Sequence, residues 1–343
     1  MSDSSFYERL ENIATSKQLH QILRDLKKDH PKEIQVTGPK SDLVQRLRRA
    51  VDDGLIPITE VRSLLHECEE NGHQHIWYYL PNSGSLSFCK NFKRFASQFE
   101  VKNEVDLSDF PKFKVTRGKL EWADFREEEI SKQDKAGKWT IKFYGHEDRH
   151  QWDSPPIIKG NTITQHGKVV DDYYTAVVRW NPPDILELRL TITHSRAKLL
   201  ARLEAIWQKL SFGIKFADCT PWDLSEARNN LFASRGVNSK RYQICTTTII
   251  DPSSGSTSFS PRDSAELLED ERVRADAVKL FEQNGCKPST FAVNWLDLPN
   301  KEQTELRTII TPRLTHNNEI VITSKTSSST VDYVTRELRK FSS

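Results

Sequence analysis

The 343-residue chain lacks the usual loops of nucleotide and hydrolase chemistry: it has no GxGxxG, no GxxxxGK[ST] and no GxSxG. Enzymes that cradle a phosphate on a glycine-rich turn, or raise a serine on a strand-to-helix elbow, are therefore not indicated. No stretch approaches the roughly 18 uncharged apolar residues that a bilayer span needs. The first residues, Met1 to Ala14, have neither a basic flank nor an apolar run, which predicts an intracellular protein: cytoplasm or nucleoid in a prokaryote, nucleus in a eukaryote. Cysteine is sparse and scattered. Cys68, Cys89, Cys219, Cys245 and Cys286 form no CxxC pair and are odd in number, which argues against a disulfide framework or zinc ribbon.

What is present is the composition of a folded globular chain. Hydrophobic residues make up 36% and charged residues 29%, too apolar for disorder. The length is about twice that of a usual single domain, so two domains are expected.

Residues 1–82 read as helical. Apolar side chains recur at helical spacing in Leu19, Ile22, Leu23 and Leu26, and again in Leu43, Val44, Leu47 and Val51. Thr15 or Ser16 supplies one cap and Ser41 another, and Gly54 closes the third helix. Counting Ile76–Leu80 as a last segment, four or five short helices form an all-α bundle. Residues 83–130 read as a helix (Leu86–Phe99) with a linker. From 131 to 343 the pattern turns to strands: 139–144, 175–180, 185–192, 242–250, 290–296, 305–314 and 319–324. Helices are expected over Ser195–Leu210, Ser264–Gln283 and Val331–Phe341. The class is α+β, a helical bundle followed by a mixed domain whose antiparallel sheet is covered by helices on one face. Ser253–Ser258 and Ser327–Thr330 read as surface loops.

The net charge of +2 conceals a polarised distribution. Residues 17–49 hold nine basic side chains against four acidic ones, whereas residues 50–80 hold one against six. Residues 88–119 and 179–241 are basic as well. A phosphate backbone suits such a face because bound Lys and Arg release condensed counterions; self-solvated charged helices are the bland alternative. Gly38-Pro39-Lys40-Ser41 adds a lysine and free backbone N–H groups at a helix start, where anions are favoured.

Two other chemistries have candidate residues in the sequence. His66, Cys68, His73 and His75 offer four zinc-type donors, but their spacing fits no familiar finger. Asp184 and Glu187 with Arg189 resemble a nuclease core of paired carboxylates, yet residues three apart on a strand face opposite sides. No catalytic residue, metal or cofactor is assigned.

A set of ordered segments resembles the centromere protein N family of inner-kinetochore nucleosome readers. These are Phe6–Arg9, Gln18–Leu23, Lys40–Leu47, Ile58–Val61, His73–Trp77 and the helix Ser195–Ile206 after a strand. The resemblance covers residues 6–100 and 186–212. It implies a pyrin-like (death-fold) helical domain joined to an α/β domain, both holding DNA and a histone surface through basic side chains. It also implies a C-terminal part that pairs with a related subunit. Onto matching positions it carries DNA contact by Arg9, Lys40 and Arg196 or Lys198. The family's basic run before the lysine is replaced here by Val36-Thr37-Gly38-Pro39, and the C-terminal third shows no match. The Gly-Pro-Lys-Ser helix start is also similar to that of SAP modules, which bind duplex DNA.

The expected function is non-enzymatic, low-specificity grip on double-stranded DNA between the two domains, within a larger assembly: a chromosomal or centromere-type scaffold, or prokaryotic genome maintenance or phage defence. Arg9, Lys17, Lys27, Lys28, Lys40, Arg196 and Lys198 are the expected phosphate contacts. A protein partner, or self-association through the C-terminal α+β domain, is expected beside the DNA, and no membrane. The alternatives are a protein-interaction subunit without DNA and, third, a metal-dependent nuclease at Asp184 and Glu187.

Overall fold

A computed structural model of the chain describes residues 4–128, 137–152, 155, 157–159, 161–193, 195–234, 238, 240–250, 256–259, 287–299, 306–313 and 316–342. In chain order the elements are α1 (Ser4–Ile13), α2 (Ser16–Asp29), α3 (Lys40–Asp52), α4 (Ile58–Glu70), β1 (Gly72–Pro81), α5 (Ser83–Cys89) and α6 (Phe92–Asn103). Then follow β2 (Leu120–Glu127), β3 (Trp139–Trp152), β4 (Ile157–Lys159), β5 (Thr162–Thr164), β6 (Gly167–Asn181), β7 (Ile185–Thr191) and α7 (Arg196–Leu210). The remainder is β8 (Cys219–Pro221), α8 (Ser225–Ala233), β9 (Tyr242–Ile250), β10 (Ser256–Phe259), β11 (Lys287–Trp295), β12 (Leu306–Arg313), β13 (His316–Lys325) and α9 (Ser328–Phe341). The class is α+β, and the strand pairings are antiparallel.

The chain divides into two compact units, and they are not consecutive in sequence. Residues 1–82 belong with 219–343, and residues 83–218 form the other unit. This differs from the linear division at 82 and 130 expected from the sequence. The physical reason is β1. The segment Ile76–Leu80, read above as the end of the helical bundle, is a strand that pairs with β13 (Ile76 opposite Ile320) and with β8 (Leu80 opposite Thr220). Both faces of β1 are covered, so its apolar residues run without alternation, and periodicity alone cannot tell such a strand from a buried helix. The left-handed turn at Gly72 and His73 (φ 78° and 53°) separates it from α4.

In the first unit the strand order is β10-β9-β11-β12-β13-β1. α9 packs on this sheet through buried Val331, Val334 and Leu338, and the Tyr78 hydroxyl meets Thr335 Oγ1 at 3.0 Å. Trp295 is fully buried, its indole N–H donating to Thr308 Oγ1 at 2.8 Å. The helices α1–α4 bury Leu10, Leu19, Leu23, Leu43, Leu47, Val61 and Leu65, with α1 packed on α3 and α4 and α2 packed on α3. Each such side chain contributes about 1.5–3 kcal/mol relative to exposure.

In the second unit the order is β7-β6-β3-β2, with α7 and α5–α6 against it. Its core is aromatic: Phe95 stacks on Trp139 at 5.9 Å, and Trp122 lies 4.4 Å from Phe143 and 4.7 Å from Phe99. β2 has no counterpart among the strands expected from the sequence. The strands β3 and β6 remain paired from Trp139–Trp180 out to Trp152–Gly167, past the ends of β2 and β7, and so continue as a two-stranded ribbon.

Other expectations shift locally. The single helix over 86–99 is two helices, because Asn91 caps α6 by accepting from the Arg94 N–H at 3.0 Å. Pro39, not Ser41, is the residue before α3, and its carbonyl accepts the first intrahelical bonds. Ser256–Ser258 lie in β10 rather than a loop, and Ser327–Thr330 form the cap and first turn of α9. The helix expected over 264–283 lies outside the described residues.

Candidate nucleic-acid interface

Among the described residues of the first unit, α2 presents the densest set of exposed cations. Thr15 opens the helix with a capping box, its hydroxyl accepting from the Gln18 N–H while the Gln18 side chain reaches back to the Thr15 N–H. Leu19, Leu23 and Leu26 face inward. Lys17, Gln21, Arg24 and Lys28 then recur at i, i+4, i+7 and i+11 on the outward side, and Lys27 flanks them. Lys27 and Lys28 stand in the last turn, where cations complement the helix dipole. Lys28 shares Asp25 at 2.6 Å in full solvent; that lysine and Gln21 hold the Asp25 carboxyl below its ordinary range. An exposed pair of this kind opens readily to a competing phosphate.

α3 adds Arg48 and Arg49 on its solvent side, Arg48 standing 5.6 Å over the Tyr7 ring and 4.0 Å from Asp52. Arg46 is consumed by the fold, donating to the carbonyls of Gln35 and Thr37 and so shaping the turn before Gly38.

The expected contacts fall into two groups. Lys17, Lys27 and Lys28 are exposed on one helix. Arg9 and Lys40 are not on that surface: the Arg9 guanidinium pairs with the fully buried Glu69 carboxylate, and Lys40 is half-buried with Nζ 3.5 Å from the Asn12 carbonyl. On α2 and α3, Arg24, Arg48 and Arg49 are exposed cations outside the contacts expected from the sequence; the i, i+4, i+7, i+11 stripe on α2 carries the signal for Arg24.

The second unit is described by itself. Ser195 caps α7 through the Lys198 N–H at 3.3 Å. Lys198 is half-buried, 3.6 Å from Glu147 and 3.5 Å from the Asp148 carbonyl, and Arg196 is half-buried in the same turn. Arg202 is buried, donating twice to Glu147 and once to Asp172, with its guanidinium 3.8 Å over Tyr174. This cluster is a structural network on one face of the β3–β6 ribbon.

The rival chemistries do not assemble. His66 pairs with Glu70 one turn away at 3.3 Å, His75 with Glu319 at 2.6 Å, and burial pushes the Cys68 thiol up to about 12. Asp184 is exposed in a turn, while Glu187 is buried on Arg189 and Asn181, so the two carboxylates do not converge. His146, Asp148 and Asp171 do come together with metal-type spacing. The Gly118 N–H donates to His146 Nδ1 at 3.1 Å, however, so the neutral ring carries its proton on Nε2, 2.9 Å from Asp171. A metal at Nε2 would have to displace that proton while Nδ1 stays engaged, and Arg117 already neutralises Asp148 at 2.9 Å. The group is a hydrogen-bonded cluster.

Among the described residues no helix is long and apolar enough to cross a membrane. A scan of protein-family models gives no match to this chain, and a search of curated proteins gives no significant one.

Proposed function

We propose that the protein binds double-stranded DNA without catalysis, through backbone phosphates, using the exposed basic face of α2 and α3. The observation that carries this reading is the stripe Lys17, Arg24 and Lys28 with Lys27 beside it, free of the packing that occupies Arg9, Arg46 and Arg202. From Lys17 to Lys28 the helix runs about 16 Å, the rise of about five phosphates of one strand. Contacts to phosphate position a protein without reading bases, so low sequence specificity follows. Arg196 and Lys198 belong to the second unit and are no part of this proposal; Lys198 is already engaged with Glu147.

The resemblance to the centromere protein N family points the same way, and a pyrin-like identity for α1–α4 with a role inside a larger assembly belongs to the same proposal. Reversing charge with Lys17→Glu, Arg24→Glu and Lys28→Glu together abolishes duplex binding at moderate salt if the reading holds. Unchanged affinity contradicts it.

A protein partner is the second reading, favoured by one feature. The second unit exposes Ile157 and Ile158 on β4 and Val169 and Tyr173 on β6, each at least half accessible.

A further inference from the structure

The first unit contains a cleft of about 900 Å³ that borders the proposed DNA face and shares Lys17 with it. One wall is the flank of α2 and α4; the other is the face of β12 and β13 leading to the start of α9. Its volume is within the range of small-molecule sites.

The sheet wall is cationic. Register places Thr308 opposite Ile322, hence Arg307 opposite Thr323, and Thr323 Oγ1 donates to the Arg307 carbonyl at 3.4 Å. Lys325, two residues on, presents its side chain on the same face as Thr323 and donates to the Cys68 carbonyl at 2.6 Å. Lys17 faces them from α2. Arg307 Nε is shielded from solvent and has no hydrogen-bond partner among the described residues. An N–H left in that state is destabilising, and an acceptor brought by a ligand would relieve it.

The helical wall carries Asp25, Glu60 and Glu67. Two of these are engaged: Asp25 with Lys28, and Glu67 with the Ser328 N–H at 3.1 Å, where it caps α9. Glu60 stands in the first turn of α4. The acids repel an extended polyanion, so the cleft does not continue the DNA face. They leave room for a compact ligand with one anionic end toward Arg307. Hydroxyl and amide groups of Thr15, Gln18, Thr326 and Ser327 line the middle, and Ile22 and Leu64 offer an apolar patch.

We propose that this cleft binds a small phosphorylated organic molecule of nucleoside-monophosphate size. Its phosphate is held by Arg307, Lys325 and Lys17, and its ring system lies against Ile22 and Leu64.

The test is calorimetric titration of the full chain with adenosine 5′-monophosphate, inorganic phosphate and adenosine, each with wild type, Arg307→Gln and Thr323→Trp. Thr323 is a half-buried wall residue on the same face of β13 as Lys325, so a tryptophan there fills the cleft without removing a charge. The monophosphate is expected to bind one-to-one with Kd below about 1 mM. Phosphate should bind more weakly and adenosine not measurably. Arg307→Gln should weaken the monophosphate about tenfold or more. Both variants should keep the wild-type melting temperature and duplex affinity. No heat with either phosphate-bearing probe overturns the proposal, and so does monophosphate binding that neither variant alters. Because the duplex control uses the α2 face, failure here leaves the DNA reading standing.

Discussion

Arg9 on α1 and Glu69 near the end of α4 form an ion pair whose side chains are 9% and 0% exposed. A carboxylate buried so completely is tolerable only while its partner is present, since the attraction offsets a desolvation cost of several kcal/mol. Arg9→Ala should therefore lower unfolding stability by about 3–5 kcal/mol. Arg9→Met with Glu69→Leu should regain most of that loss. Urea midpoints check both. A normal midpoint for Arg9→Ala together with weakened DNA binding would make Arg9 a phosphate contact after all.

Gly72 and Gly54 share a left-handed backbone, φ 78° and 72°, but not the same surroundings. A Cβ at Gly72 would lie 2.2 Å from the Ser324 carbonyl oxygen and 2.6 Å from the Thr326 nitrogen, whereas one at Gly54 meets nothing within 4 Å. Gly54→Ala should cost only about 1–2 kcal/mol, the ordinary penalty of that conformation. Gly72→Ala should cost at least about 3 kcal/mol, because the β1–β13 pairing must shift as well. Thermal melts of equal size for the two variants would refute the account of β1.

Much of the fold was legible because its signals are local. The stripe Leu19, Leu23 and Leu26, the Thr15 cap, the strand over 242–250 and the Ser195-capped helix all follow from spacing within a few residues. β1 was not legible, since a strand covered on both faces has no alternation and its partners lie some 140 and 240 residues away. The non-consecutive units follow from that same pairing. At the candidate interface the sequence reports where charge is dense, but not which cations the fold consumes. Arg9 and Lys28 look alike in a row of letters; only packing shows one locked on Glu69 and the other in water.

Acid should loosen the second unit through Glu147. Burial raises its carboxyl, but the two hydrogen bonds and the charge of Arg202, with Lys198 nearby, outweigh that and hold it below the ordinary 4.5. The sign follows. A depressed folded-state value contributes stability above the unfolded value, and that contribution fades as pH falls below about 4.5. Glu147→Gln should accordingly be less stable than wild type at about pH 6 and closer to it at about pH 3.5. A gap between the two urea midpoints that does not change with pH would contradict the assignment.

The described cysteines should be inert in the native state. Cys68, Cys89, Cys219 and Cys245 are buried, and the Cys68 thiol is pushed up to about 12 by burial, with Lys325 only partly opposing it. At about pH 8 almost none of it is thiolate, the reactive form. Iodoacetamide labelling mapped by mass spectrometry should leave these four unmodified until urea is added. Fast native labelling of Cys68 would show that α4 opens there.

The central claim is the phosphate-binding face of α2 and α3, and the most direct measurement is fluorescence anisotropy with a labelled duplex of roughly 30 bp across a range of salt. With about five cations engaged, the log of the affinity should fall against the log of salt with a slope of about −4 to −5. In the triple variant Lys17→Gln, Arg24→Gln and Lys28→Gln that slope should shrink by close to 3. No binding at low salt, or a slope that the triple variant leaves untouched, would contradict the account.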